Sequence, residues 1–181
     1  LSEKLSEVIM GKRKSVKIGP IDLVFILVSV AGFVFALIGI FVPWIGGSAS
    51  SELIGQSSTS DGSALFSQDL SRMSNADGVF PIGLVRAFAI IGLVLAFLCA
   101  VGVFLKALQT VRIKGLIPFI FAVVTIVVGV LIAVFSFSYA SSLGKLDAGE
   151  ILKISYYPLV GMYFCAIGTI ASGVMMLLKR G

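Results

Sequence analysis

The residues able to do chemistry are few and badly placed for it. The chain has no histidine, and its only two cysteines, Cys99 and Cys165, lie inside long apolar runs. That combination removes Ser/His and Cys/His triads, His-ligated haem and Cys/His zinc sites. Nor can the two cysteines pair. Counted from the starts of two runs that travel in the same direction, they differ in depth by roughly 16 Å at about 1.5 Å per residue, against the ~4.4 to 6.8 Å Cα separation of a disulfide. They read as buried small hydrophobes. Glu52, Asp61, Asp69 and Asp77 share one polar segment, but without the spacing of a calcium loop they make a solvated negative surface rather than a metal site. Asp22 and Arg86 sit near opposite ends of their runs, where each reaches an interface and neither reaches the other. No catalytic residue, metal or cofactor is predicted, and the chain reads as a non-enzyme.

The elements that would have to position any site are apolar. Of 181 residues, 58% are hydrophobic and 13% charged, about half the roughly 25% charge of a soluble domain. The surplus is concentrated in four runs, 20–42, 81–105, 115–137 and 158–178, each long enough for the ~20 residues that cross ~30 Å of hydrocarbon. The fold class predicted is an all-α membrane protein, a four-helix antiparallel transmembrane bundle over 20–178. A small extracytoplasmic cap from the first outer loop, 43–80, would cover it, with a second outer loop at 138–157. Residues 1–19 form a basic N-terminal segment and 179–181 a short C-terminus. The first run has about 22 apolar residues, beyond the ~7 to 15 of a cleavable signal, and is expected to stay as an anchor. Pro20, Pro81 and Pro158 open runs and Pro118 lies in a first turn, where a missing N–H costs little. All four helices should therefore be unbroken.

Charge sets the expected orientation. Ten of the fourteen Lys and Arg fall in 1–19, 106–114 and 179–180, so the positive-inside rule puts both termini in the cytoplasm, most naturally at the cell membrane. Trp44, Tyr139, Tyr156, Tyr157 and Tyr163, all the Trp and Tyr of the chain, cluster near the outer ends of the runs as one interfacial belt. In the N-terminal segment, Lys12, Arg13, Lys14 and Lys17 follow Leu1, Leu5, Val8 and Ile9 at helical spacing. The pattern fits an amphipathic helix on anionic lipid head groups of the inner leaflet, and equally a solvated tail. Basic residues confined to membrane edges give no reason to expect nucleic acid.

Helices in lipid associate through close approach at small residues. Gly92, Ala96 and Ala100, at successive i+4 steps, give the clearest packing face, with Gly129, Gly168 and Gly173 supplying others. Mid-depth polar groups are Ser29, Thr125, Thr169 and the thiols, which suit local carbonyls better than a pore. The first outer loop carries a Ser/Thr-rich stretch over 48–60, a turn at Asp61-Gly62 and a short amphipathic helix with Leu65, Phe66, Leu70 and Met73 on one side. A loop this short cannot bury its own apolar groups. Leu65, Phe66 and Leu70 are thus expected to contact a partner, and partly a helical face of Ile151, Ile154 and Tyr157 in the second outer loop.

Pro43-Trp44 after the first run and Arg86-Ala87 opening the second, with cytoplasmic termini and a large first outer loop, resemble the claudin and peripheral-myelin-protein superfamily of four-span proteins. The family's Gly-Leu-Trp and loop cysteine pair are missing here, and the first loop is short for a full claudin sheet. The resemblance implies adhesion, barrier formation or modulation of another membrane protein. The reading from the residues is a contact protein in the lipid bilayer, an accessory or scaffold subunit working with other membrane subunits or by self-association. Claudin-like adhesion stands second, and an oligomeric channel or transport component third.

Overall fold

The computed structural model describes residues 19–51, 56–73, 79–108, 116–143 and 152–179. Its order is α1 (Pro20–Phe41), β1 (Pro43–Ser51), β2 (Gln56–Ala64), α2 (Gln68–Met73), α3 (Ile82–Ala107), α4 (Leu116–Leu143), β3 (Leu152–Pro158) and α5 (Val160–Leu178). Helices α1, α3, α4 and α5 are each long and apolar enough to cross a membrane and pack against one another. The chain is a multi-pass integral membrane protein built on an antiparallel four-helix bundle.

Helix ends follow the sequence chemistry. Pro20 stands at the start of α1, where its absent N–H is one of the unpaired four. Pro43 ends the same helix by forcing Val42 to an extended conformation, with ψ of 153°. Helix α4 runs on to Leu143, six residues past the predicted end. Ser136 and Ser138 there donate to Ile132 O (2.6 Å) and Val134 O (2.9 Å), returning their hydroxyls to the helix's own carbonyls. The same device hides Thr125 (to Phe121 O, 2.7 Å) and Thr169 (to Cys165 O, 2.8 Å) in the bundle interior.

Helix α5 is the hub. It packs on α1, α3 and α4, and α3 packs on α1 and α4 as well. The closest seam lies between α1 and α5. A Cβ on Gly39 would lie 2.6 Å from Cys165 N and 2.7 Å from Gly161 O, and one on Gly32 would lie 2.8 Å from Gly168 O. Gly168 in turn faces Gly32 O and Ala36 N. Gly32, Ala36 and Gly39 thus mesh with Gly161, Cys165, Gly168 and Ser172, backbone against backbone, and Ser172 Oγ donates across the seam to Ser29 O (3.2 Å).

At the end of the bundle opposite Pro20 and Leu178, the three strands build one antiparallel sheet of order β2-β1-β3. Ser48 is in register with Thr59 on one side and Ser155 on the other. The helical face expected at Ile154 and Tyr157 is instead strand β3, and Ile151 lies outside the described residues. Pro158 ends that strand rather than opening the last helix. The short helix of the first segment is present as α2, but Leu65 and Phe66 precede it. Ser67 stands at its start, its Oγ accepting from Leu70 N at 3.4 Å.

Candidate functional site

The sheet and α2 form a cap, and polar and aromatic side chains seat it on the bundle. Irregular register between β1 and β2 around Pro43, Ile45 and Gly47 removes the alternation of a regular strand. Trp44 and Ile45, consecutive residues, are consequently both buried, at 1% and 5% exposure. The Trp44 indole N–H donates to Gly39 O on the last turn of α1, and its ring edge occupies the space a Cβ on Gly161 would need. Leu159 N–H donates to Trp44 O at 2.7 Å, fastening β1 to the start of α5.

Arg86, one turn into α3, is the second fastening. Its Nε–H donates to Leu65 O (2.8 Å) and an Nη2–H to Ser67 O (3.0 Å), while its guanidinium carbon lies 5.6 Å from the Phe66 ring centroid. These carbonyls belong to the turn between β2 and α2, which has no ladder to satisfy them; a fork of fixed donors suits the task. Tyr139 is the third. Fully buried at the end of α4, it donates its hydroxyl to Leu70 O at 3.0 Å. Ser142 Oγ accepts from Phe80 N (2.9 Å) and donates to Tyr139 O (2.8 Å), holding the chain's return into α3. Beneath lie Leu65, Leu70, Ile82, Val85 and Leu143, with Phe135 packed edge-on to Phe88 at 5.0 Å.

Several sequence expectations change against this geometry. Trp44 and Tyr139 are not members of a lipid-facing belt; both are interior plugs, because each has a carbonyl to bind only inside the cap junction. Tyr157 and Tyr163 are exposed on the molecular surface and Tyr156 is half-buried. Leu65 and Leu70 are not available to a partner either, since the cap docks them onto its own bundle; Phe66 alone of the three is exposed, at 51%. The small-residue face also divides. Gly92 receives the Ile132 side chain and borders Thr169, Ala96 is fully buried, and Ala100 floors a crevice toward α1. Gly129 and Gly173 sit in the α4–α5 contact, against Ile170 and Ile126, and Gly168 in the α1–α5 seam. Lys12, Arg13, Lys14 and Lys17 lie outside the described residues.

Both cysteines are unpaired and buried, with Cys99 Sγ 3.3 Å from Thr125 Oγ1. Among the described residues, no three His, Cys, Asp or Glu side chains gather as metal ligands would. At the opposite end of the bundle from the sheet, Asp22 pairs with Lys179, whose carbonyl accepts from Lys106 Nζ. This joins the start of α1 to the ends of α3 and α5. The Asp22–Lys179 pair and the Arg86 fork had no signal in spacing, since both join residues distant in sequence. The α1–α5 seam did have one, in the spacing of Gly32, Ala36 and Gly39.

No known family model matches this chain, and no curated protein matches it. Its chemistry must therefore be read from the geometry itself. The arrangement can present a fixed polar cap above a membrane-embedded bundle. Its strong donors are directed at backbone carbonyls of the cap junction.

Proposed function

We propose that the protein is a non-enzymatic contact protein of the cell membrane, an accessory or scaffold subunit that presents its cap to another membrane protein, with both termini in the cytoplasm. The observation that carries this reading is the threefold fastening of the cap by Trp44, Arg86 and Tyr139. A segment with no chemistry of its own has no need of such immobilisation unless its shape is what is used. The contact surface centres on exposed Phe66 beside Arg86, on a cap segment whose four acids and one arginine give a net charge of −3; a neutral or basic partner surface suits it. A photo-crosslinking residue at position 66 should yield one discrete protein adduct in native membranes. Adducts with lipid alone would overturn the reading. For orientation, Thr59→Cys and Ser155→Cys should react with an impermeant thiol reagent on intact cells; protection of both until the membrane is opened would reverse it.

A second reading is claudin-type adhesion. It is favoured by the joining of both connecting segments in one sheet around Trp44, with Arg86 opening the second span. Vesicles carrying the protein in one orientation should then aggregate with each other, whereas a subunit needing a different partner leaves them dispersed.

A further inference from the structure

The bundle is not equally tight along its length. Toward the sheet, every spanning helix buries residues into its final turn, among them Ile40, Ile82, Leu143 and Met162. Toward the other end, burial stops short on three of the four. The first buried residue of α1 is Ser29 and of α4 Ala122, and the last of α5 is Gly173. Pro20–Val28 is thus about two and a half turns of helix without one buried residue. Where it joins the rest of α1, Val30 and Phe33 stand across an open crevice of about 180 Å³ from Phe97, Ala100, Val101 and Phe104. Helix α3 therefore gives that junction no close support. Segments with few buried contacts are the ones that open locally while the remainder stays folded.

Two groups act on this stretch in opposite senses. Lys179, just past α5, holds it: its ammonium pairs with Asp22 and lies 5.6 Å from the Phe25 ring centroid, and its own carbonyl accepts from Lys106 Nζ on α3. The holder is thereby fixed to α3 as well as to α5. Ser29, where burial begins, works against closure. It is fully buried, and among the described residues its Oγ is the one buried side-chain nitrogen or oxygen without a hydrogen-bond partner. Thr125, Ser136, Thr169 and Ser172 each donate to the carbonyl four residues back; in the packed seam Ser29 does not. A buried hydroxyl left unpaired disfavours the arrangement that buries it, and separation of the helices frees Ser29 to turn onto the Phe25 carbonyl as the others do onto theirs. We propose that Pro20–Val28 is a lateral gate of the bundle, swinging outward about Ser29 and Gly32, held closed by the Lys179 clasp and driven open by the unpaired Ser29 hydroxyl. Glycine and serine are where helices bend without proline, which suits the pivot. Closure then depends on one charge pair.

The test is a pair of distances. The full chain in lipid nanodiscs carries nitroxide labels either at Val24→Cys and Ile120→Cys, exposed positions at the depth of the gate on α1 and α4, or at Ile38→Cys and Val134→Cys, exposed positions on the same helices toward the sheet. Cys99 and Cys165 are buried and take no label. Electron–electron resonance should resolve two distances for the first pair and one for the second. Asp22→Asn and Lys179→Gln should each raise the population at the longer first-pair distance by several-fold, and Ser29→Ala should empty it. The second pair should stay where it is in all three variants, which shows that the bundle is intact. A single first-pair distance shared by the unmodified chain, Asp22→Asn and Lys179→Gln would overturn the proposal. So would a longer component that Ser29→Ala leaves undiminished, or a second pair that lengthens with the first, since the whole bundle is then loosening rather than one gate opening.

Discussion

Gly168 faces the Gly32 carbonyl and Ala36 with no room for a methyl group, whereas Gly83 has no such neighbour within 4 Å of its missing Cβ. The two glycines should therefore answer the same substitution in opposite ways. Gly168→Ala must push α1 from α5 and lose dispersion contacts along the seam, costing about 1 to 3 kcal/mol; Gly83→Ala should be neutral or gain up to about 1 kcal/mol from helix propensity. Thermal unfolding in detergent reads both, and equal midpoints would mean that the seam yields freely. Arg86 makes a different kind of residue-scale statement. Arg86→Met removes the fork and leaves Leu65 O and Ser67 O without their charged donor, so the cap junction should weaken by about 1.5 to 3 kcal/mol. The expected sign is faster proteolysis or amide exchange confined to 56–73, with the bundle still protected. Unchanged exchange there would show that Trp44 and Tyr139 hold the cap without it.

At the scale of elements, the sheet supplies a sharper test than any single side chain. Ser48 on β1 and Ser155 on β3 are direct antiparallel partners, and such partners sit about 4.5 to 5.5 Å apart at Cα, inside the range of a disulfide. Ser48→Cys with Ser155→Cys should close on mild oxidation in the folded protein, giving a gel shift that reverses on reduction. A helix over 152–158 would keep those thiols apart. The spans were legible in the sequence because burial in lipid demands long uninterrupted apolar runs, and nothing else in the chain competes with that signal. The sheet was not. Its strand β2 reads Gln-Ser-Ser-Thr-Ser-Asp-Gly-Ser-Ala, with no alternation to betray it, because a sheet raised above a bundle needs little apolar surface of its own. In β3, Leu152, Ile154 and Tyr156 alternate as a strand requires while Ile151, Ile154 and Tyr157 satisfy a helix, and over seven residues the two periods cannot be separated. Of the cap junction, Leu65 and Leu70 were recognisable as apolar groups needing cover, but which surface covers them depends on long-range contacts to Tyr139 and Arg86.

For the whole molecule, the order of assembly follows from which helix touches which. Helix α5 is made last, yet it fills the centre: α1 meets it through glycine backbone, α4 through Gly129 and Gly173, and α3 through Gly92 beside Thr169. Before α5 inserts, the earlier helices present those glycine faces to lipid, which solvates them poorly because lipid chains cannot follow a backbone groove as closely as another helix can. The strand ahead of α5 adds a second attachment, since β3 pairs with β1 along seven registered positions from Ile45 to Ser51. The C-terminal piece should therefore bind the rest without a covalent link. If the chain is expressed as two polypeptides, 1–147 and 148–181, the second carries β3 and α5 complete. The pair should co-purify in mild detergent as a one-to-one complex with the thermal behaviour of a bundle. Gly168→Leu in the smaller fragment should abolish that recovery, since it blocks the seam without altering insertion. Failure of the unmodified fragments to associate would mean that the connection through 144–151, rather than the seam and the sheet, keeps α5 in place.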